Sequence, residues 1–224
     1  MTTLYIVPSW FLGVSIGLEI IFALITVAVA FYSLKIYRLS EEKEFRLLGA
    51  AFIIISISYI LRSALNAFII TKVNTGTIEF ILDDLQSVIL FGVFAHMILF
   101  IVGLITLLYL TMRVKNDNVY VAFICLALLS ILLSANRAIA FYVVSSVVLL
   151  FIAKHYLLEC RNLKNPKRVL VAGAFVLLLI ANLDYIFATK NYTHYIIAHV
   201  LELVAYMFIL ASLTITVKNE QKKK

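Results

Sequence analysis

Residues 85–109 read LQSVILFGVFAHMILFIVGLITLLY, a stretch with no Asp, Glu, Lys or Arg, in which His96 is the one imidazole. A hydrocarbon core about 30 Å thick needs roughly 20 helical residues to cross it, so this segment predicts a transmembrane helix. Six further apolar blocks flank it: Trp10–Tyr32, Leu47–Ile70, Val119–Asn136, Ile139–Leu158, Val169–Phe187 and Tyr195–Val217. Across the chain 64% of residues are hydrophobic and the mean hydropathy is +1.06, values foreign to a soluble domain. The predicted fold is all-α: one polytopic membrane domain over residues 1–224, a bundle of seven transmembrane helices. The lipid bilayer is its first partner and the cell membrane its expected multi-pass location.

The basic residues predict an orientation. Taken as seven spans, the connections alternate in charge, and 14 of the 19 Lys and Arg fall on one side: Lys35, Arg38, Lys43 and Arg46; Arg113 and Lys115; Arg161, Lys164, Lys167 and Arg168; then Lys218 and Lys222 to Lys224. Lys72, Arg137 and Lys190 fall on the other side, and Arg62 and Lys154 lie within spans. The positive-inside bias then puts the N-terminus outside and the C-terminus in the cytoplasm. This bias accounts for the net charge of +7, so no nucleic-acid partner is expected, although the same residues suit anionic headgroups. Met1–Pro8 lacks the basic start of a cleavable signal, and the first block reads as an uncleaved anchor. Cys125 and Cys160 are placed as separate thiols and not as a disulfide framework.

Local signals refine the bundle. Ser40-Glu41-Glu42-Lys43-Glu44 reads as a helix start with Ser40 as cap and acids in the first turn, extending the second span into the cytoplasm. Pro166 suits the first helical position of the sixth span. The tight turn at Asn136-Arg137 predicts an antiparallel hairpin of the fourth and fifth spans. No proline interrupts a span, which argues against the broken helices of many secondary transporters. Every loop is short, so a signal generated in the bundle would need a protein partner for its output.

Ionisable groups inside hydrocarbon are expensive and mark function or deliberate pairing. At 1.5 Å per residue, Glu19 lies roughly 14 Å from the outer end of the first span, Arg62 roughly 13 Å and His96 roughly 17 Å from theirs, and His199 and Glu202 roughly 8–14 Å. Such matched depth predicts that the groups meet in the bundle interior. Helical stripes agree: Tyr195, His199, Glu202 and Tyr206; Tyr59, Arg62 and Asn66; Ser15, Glu19 and Thr26; and the small-residue face Gly92, His96, Gly103 and Thr106, which invites close helix approach. Arg62 is expected to pair with Glu19 or Glu202, leaving the other carboxylate to titrate or bind.

Three chemistries fit these residues. The first is a ligand- or proton-binding or sensing pocket in the outer half of the bundle, built from Glu19, Arg62, His96, Tyr195, His199 and Glu202. The second is an electron-transfer protein holding haem b between His96 and His199. The third is a metal-dependent intramembrane hydrolase, with His96, His199 and Glu202, joined by Glu19, as donors for a divalent ion; whether the protein is an enzyme is left open at this point. A fourth reading is structural, in which buried pairs hold helices in register. Towards the outer surface, Asp83 and Asp84 read as helix-start acids, with an acidic vestibule including Glu79, Asp184 and His194 as the alternative. His155 and Glu159, one turn apart, read as an interfacial pair.

The layout resembles that of microbial rhodopsins, but the seventh span has no lysine between Lys190 and Lys218 to link retinal. It also resembles the seven-helix metal-dependent lipid hydrolases and the input domains of some sensor kinases. The former carry two histidines one turn apart on the last helix, whereas His194 and His199 are five residues apart, and no motif quoted from the chain assigns it to any of these families.

Overall fold

A computed structural model describes residues 9–74, 82–113, 116–162, 166–188 and 191–221. The described residues form seven helices: α1 Ser9–Ser40, α2 Lys43–Asn74, α3 Leu82–Met112, α4 Asp117–Leu132, α5 Arg137–Asn162, α6 Pro166–Phe187 and α7 Tyr192–Gln221. Six are long and apolar enough to cross a membrane; α4, with 16 residues, is the shorter exception. All seven expected helices are present, and the fourth is the short one. The predicted fourth span, Val119–Asn136, loses its last turn because Asn136 starts the next helix instead. Its side chain accepts from the Ile139 amide at 3.2 Å, and its carbonyl accepts from the Ala140 amide at 3.0 Å.

The chain nonetheless returns from one end of the bundle to the other through α4. Arg113, just past α3, lies 3.7 Å from Glu44 at the start of α2, and Arg168 in α6 lies 4.0 Å from Glu159 near the end of α5. These contacts gather the start of α2, the ends of α3 and α5 and the start of α6 at one end, the basic end. Arg137, which begins α5, sits at the other end with its guanidinium carbon 4.8 Å from the Phe94 ring centroid. At 1.5 Å per residue α4 is about 24 Å long, and with its two short connections it covers the return.

Caps explain the other boundaries. Glu41 adopts the left-handed conformation (φ 58°) and its amide donates to the Tyr37 carbonyl at 2.8 Å, closing α1. Ser40 therefore belongs to the end of α1; it is not the cap of α2, although its hydroxyl still accepts from the Glu42 amide at 3.4 Å. The second helix does extend beyond the apolar block, beginning at Lys43. Pro166 opens α6, where a missing amide hydrogen costs nothing. Asn116 and Asn191 turn their side-chain oxygens to the amides of Asn118 and Thr193, each at 3.0 Å, and start α4 and α7.

The six long helices close a ring. Neighbours pack in the order α1, α2, α3, α5, α6, α7 and back to α1, while α4 packs outside this ring against α3 and α5. Only Ala127 and Ile131 of α4 are buried. The outward faces are apolar, with Leu24, Phe31, Phe91, Leu126, Leu133 and Phe187 all exposed, as a lipid-facing surface requires. The polar residues turn inward: Ser15, Glu19, Thr26, Ser56, His96, Asn182, His199 and Glu202 are buried. This inside-out distribution, with six membrane-length helices, makes the chain a multi-pass membrane helical bundle. Cys125 and Cys160 are free thiols.

Small residues and hydroxyls let α2 sit close to its neighbours. A Cβ at Gly103 would stand 2.5 Å from Ile55 Cγ1 and 3.2 Å from the Ala51 carbonyl oxygen, and one at Gly92 would overlap Leu65. Ser56 donates across to the Ala23 carbonyl of α1 at 3.0 Å. Gly92, His96 and Gly103 thus face α2, whereas Thr106, read as part of the same stripe, meets the Tyr120 hydroxyl of α4 at 2.9 Å. Gly103→Ala should therefore lower the thermal midpoint in detergent by the equivalent of about 1–3 kcal/mol, the usual cost of overpacking. Gly173→Ala, whose nearest neighbour would be Phe208 at 3.7 Å, should leave it unchanged or raise it slightly, as alanine favours the helix. Equal midpoints for the two variants would contradict the close α2–α3 contact.

Candidate functional site

Five helices of the ring direct polar side chains to one place on its axis. Direction matters as much as depth, because helical side chains lean toward the N-terminus of their own helix. α2 and α6 begin at the basic end, so Tyr59, Arg62 and Tyr185 lean back toward that end. α1 and α7 run the other way, so Glu19, His199 and Glu202 lean toward the opposite end. Residues whose Cα atoms differ in height are brought together by these opposed tilts.

Arg62 chooses Glu19. Its Nε lies 2.9 Å from Glu19 Oε1, with Glu19 wholly buried and Arg62 17% exposed. Asn66, one turn along α2, donates from Nδ2 to both carboxylate oxygens of Glu19 at 2.9 Å. A second guanidinium nitrogen donates to the Tyr195 hydroxyl at 3.3 Å, and the guanidinium carbon lies 5.9 Å from the Tyr185 ring centroid. One carboxylate, one guanidinium and one amide thus satisfy each other where water is scarce.

Glu202 has a different shell. No cation lies within ion-pair distance of it among the described residues; two phenols hold it instead. Tyr185 donates to Oε2 at 2.8 Å and Tyr59 donates to Oε1. Tyr59 spends its proton on the carboxylate, so the Tyr206 hydroxyl, 2.8 Å away, donates to Tyr59. His199 Nδ1 is 2.9 Å from both the Tyr195 carbonyl and the Tyr185 hydroxyl. A carbonyl can only accept, so Nδ1 carries the proton and shares it with the two oxygens. The result is one continuous hydrogen-bonded chain, His199–Tyr185–Glu202–Tyr59–Tyr206. At its upper end His199 Nε2 is buried without a hydrogen-bond partner, between the rings of Phe11 and Phe22, whose centroids are 5.9 and 6.0 Å from the imidazole.

His96 stands at the side of this chain. Its Nδ1 donates to the Ser58 carbonyl at 3.0 Å, and its ring packs against Tyr59, Phe100 and Phe141. Beside it is a cavity of about 10 Å³ lined by His96, Arg62, Tyr142, Asn182, Tyr185 and Glu202, among others. That space accommodates about one water molecule and no organic ligand. Tyr59 and Phe22, 5.4 Å apart, fill the way from His96 to His199, so a haem between the two imidazoles would require these rings to be cleared. Among the described residues no three His, Cys, Asp or Glu side chains are placed to hold a metal ion. His96, His199, Glu202 and Glu19 are directed to hydroxyls, carbonyls, an amide and Arg62.

Every residue read from the sequence as a pocket member, namely Glu19, Arg62, His96, Tyr195, His199 and Glu202, lies in or against this network. Tyr185, Tyr142 and Asn182 were not legible. Tyr185 lies near the end of α6, where an aromatic residue reads as an interface anchor, and only its lean toward the basic end brings the hydroxyl to Glu202. At the end opposite the basic one His194 and Asp184 pair at 3.0 Å. Glu79 and the side chains of Asp83 and Asp84 lie outside the described residues, as does Met1–Pro8. At the basic end His155 Nε2 is 3.4 Å from Glu159, one turn away.

No protein-family model matches the chain, and no curated protein or solved structure matches it.

The partner choice of Arg62 makes a double-mutant test specific. Arg62→Ala should destabilise the protein by about 3–5 kcal/mol, since it strands a buried carboxylate. Arg62→Ala combined with Glu19→Gln should recover part of that loss in thermal midpoint. The combination with Glu202→Gln should recover less, and equal recovery by both would remove the assignment of Glu19 as mate.

Proposed function

We propose that the protein is a membrane proton-binding and proton-sensing bundle in which Glu202 is the titrating carboxylate. The observation that carries this reading is the unbroken chain His199–Tyr185–Glu202–Tyr59–Tyr206. Arg62 is committed to Glu19, so Glu202 is the buried carboxylate that can gain a proton without breaking an ion pair. The cavity beside it takes one water-sized species, which favours a proton over an organic ligand.

The chain supports a balanced transfer. His199 Nε2 takes a proton, Nδ1 passes its own to the Tyr185 oxygen, and Tyr185 passes its hydrogen to Glu202. Rotation of the phenol hydroxyls then lets the acid donate a hydrogen bond to Tyr59, and Tyr59 to Tyr206, where the chain ends, so Glu202 holds the proton. Infrared difference spectra on lowering pH should show a carboxylate band replaced by a protonated-carboxyl band. Glu202→Gln should remove from that exchange the component of a buried, phenol-bonded carboxyl, while the exposed carboxylates, Glu44 among them, continue to titrate in both proteins. Identical pH-difference spectra for the wild type and Glu202→Gln would overturn the assignment.

In this reading the protein sits in the cell membrane with its basic end in the cytoplasm and α4 as a short seventh crossing, the arrangement that the charge alternation of the loops favours. A protein partner then reads the protonation state at the cytoplasmic end. A reporter fused after Lys224 should behave as cytoplasmic, and activity of a reporter that works only outside the cytoplasm would reverse the orientation.

A further inference from the structure

A second cavity opens inside the ring at the basic end. It measures about 340 Å³ and is lined by α2, α5, α6 and α7. On three helices its mouth and floor residues are seven positions apart: Phe45 and Phe52 on α2, Arg168 and Phe175 on α6, Thr216 and Ile209 on α7. Seven residues are about 10 Å of helix, so the cavity runs along the bundle axis for two turns. Its floor of Phe52, Phe175 and Ile209 is buried, and its walls include Leu48, Val171 and Leu213. Lys167 and Arg168 stand at the mouth.

We infer that this vestibule is a binding site for a single-chain anionic amphiphile, with the anion at Lys167 and Arg168 and the hydrocarbon chain against Phe52, Phe175 and Ile209. Charge and shape both select this class. The cations lie at one end only, and the depth below them is apolar, so a free inorganic anion would leave the walls unused. A neutral hydrocarbon would leave the cations unused. The volume is at the lower end of the range for small-molecule sites and suits one hydrocarbon chain better than two. Arg168 is 41% exposed and is held by Glu159 only at 4.0 Å, so its guanidinium has donors to turn toward a carboxylate or phosphate. Glu159, already shared with His155 at 3.4 Å, lies with Glu44 in an adjoining cavity that shares Phe45, Leu48, Tyr156 and Arg168 with this one, and an incoming anion must displace it from Arg168. The inference is independent of the proton chemistry at Glu202.

The test uses the full chain in phosphatidylcholine nanodiscs, with decyl phosphate, decanol and inorganic phosphate as probes and empty nanodiscs as the partition control. Decyl phosphate should bind saturably and at least about tenfold tighter than either of the others, the scale of one charge-assisted hydrogen bond. Lys167→Gln with Arg168→Gln should bring decyl phosphate down to the affinity of decanol. Leu213→Trp, or Leu48→Trp from the opposite wall should the first fail to fold, should block both amphiphiles by filling the cavity. Inorganic phosphate binding as tightly as decyl phosphate would make this a free-anion site and overturn the inference. So would equal affinity for decanol and decyl phosphate, or unchanged binding in the filled variants.

Discussion

The pairing of Arg62 with Glu19 is the constraint on which the interior depends. A guanidinium inside a helical bundle must find an anion, because an uncompensated charge in a low-dielectric interior costs several kcal/mol. Glu19 supplies it at 2.9 Å, and Asn66 fills the remaining capacity of the carboxylate. That arrangement fixes the rotation of α1 against α2. It also determines the state of the second carboxylate: with Arg62 taken, Glu202 must be held by neutral donors, and Tyr59 and Tyr185 are those donors. The same two carboxylates would have been interchangeable had the guanidinium stood between them.

Phenols are suited to this role. A tyrosine hydroxyl both donates and accepts, so it can sit between two groups and remain satisfied whichever holds the proton. Three of them here touch or extend from Glu202, and each carries a ring that fills space in an otherwise apolar core. A lysine or arginine at any of these positions would pin the carboxylate in its ionised form. The aromatic shell therefore keeps the carboxylate adjustable, and the proposed proton chemistry draws on that property more than on any single residue.

Much of this was legible in the sequence, and the reasons differ from residue to residue. Arg62 and Asn66 are one turn apart, so a carboxylate facing one also faces the other. Glu19, His199 and Glu202 stand out because charge and imidazole are rare in hydrocarbon. The partner of Arg62 was not legible, since depth measured at the Cα places both carboxylates within reach and ignores side-chain lean. Tyr185 was hidden for the same reason. The position of α4 outside the ring was also invisible: hairpin neighbours follow from short loops, but the α3–α5 and α1–α7 contacts join helices distant in sequence. Apolar periodicity could not reveal them, because lipid-facing and helix-facing residues are both apolar.

Two cavities now lie on one axis, and their spacing has a consequence. The lining residues nearest to one another are Phe52 and Tyr59 on α2, Phe175 and Asn182 on α6, and Ile209 and Glu202 on α7. Each pair is seven residues apart, about 10 Å of helix. Ile55 and Leu178 occupy that gap as buried apolar side chains, while Tyr59 and Tyr206 carry the hydrogen-bonded chain into it. Tyr206 is one turn above Ile209, the vestibule floor. A proton leaving Glu202 by way of Tyr206 would thus stop a single turn short of the space open to the basic end, with only apolar side chains beyond. Such a gap blocks free conduction but not coupling. Small rearrangements of Phe52, Phe175 or Ile209, including those imposed by a chain seated against them, change the distance that water must cover to reach Tyr206. In the proposed reading, the packing at this one level, more than the chemistry of the carboxylate, would decide whether the bundle holds a proton or exchanges it with the basic side.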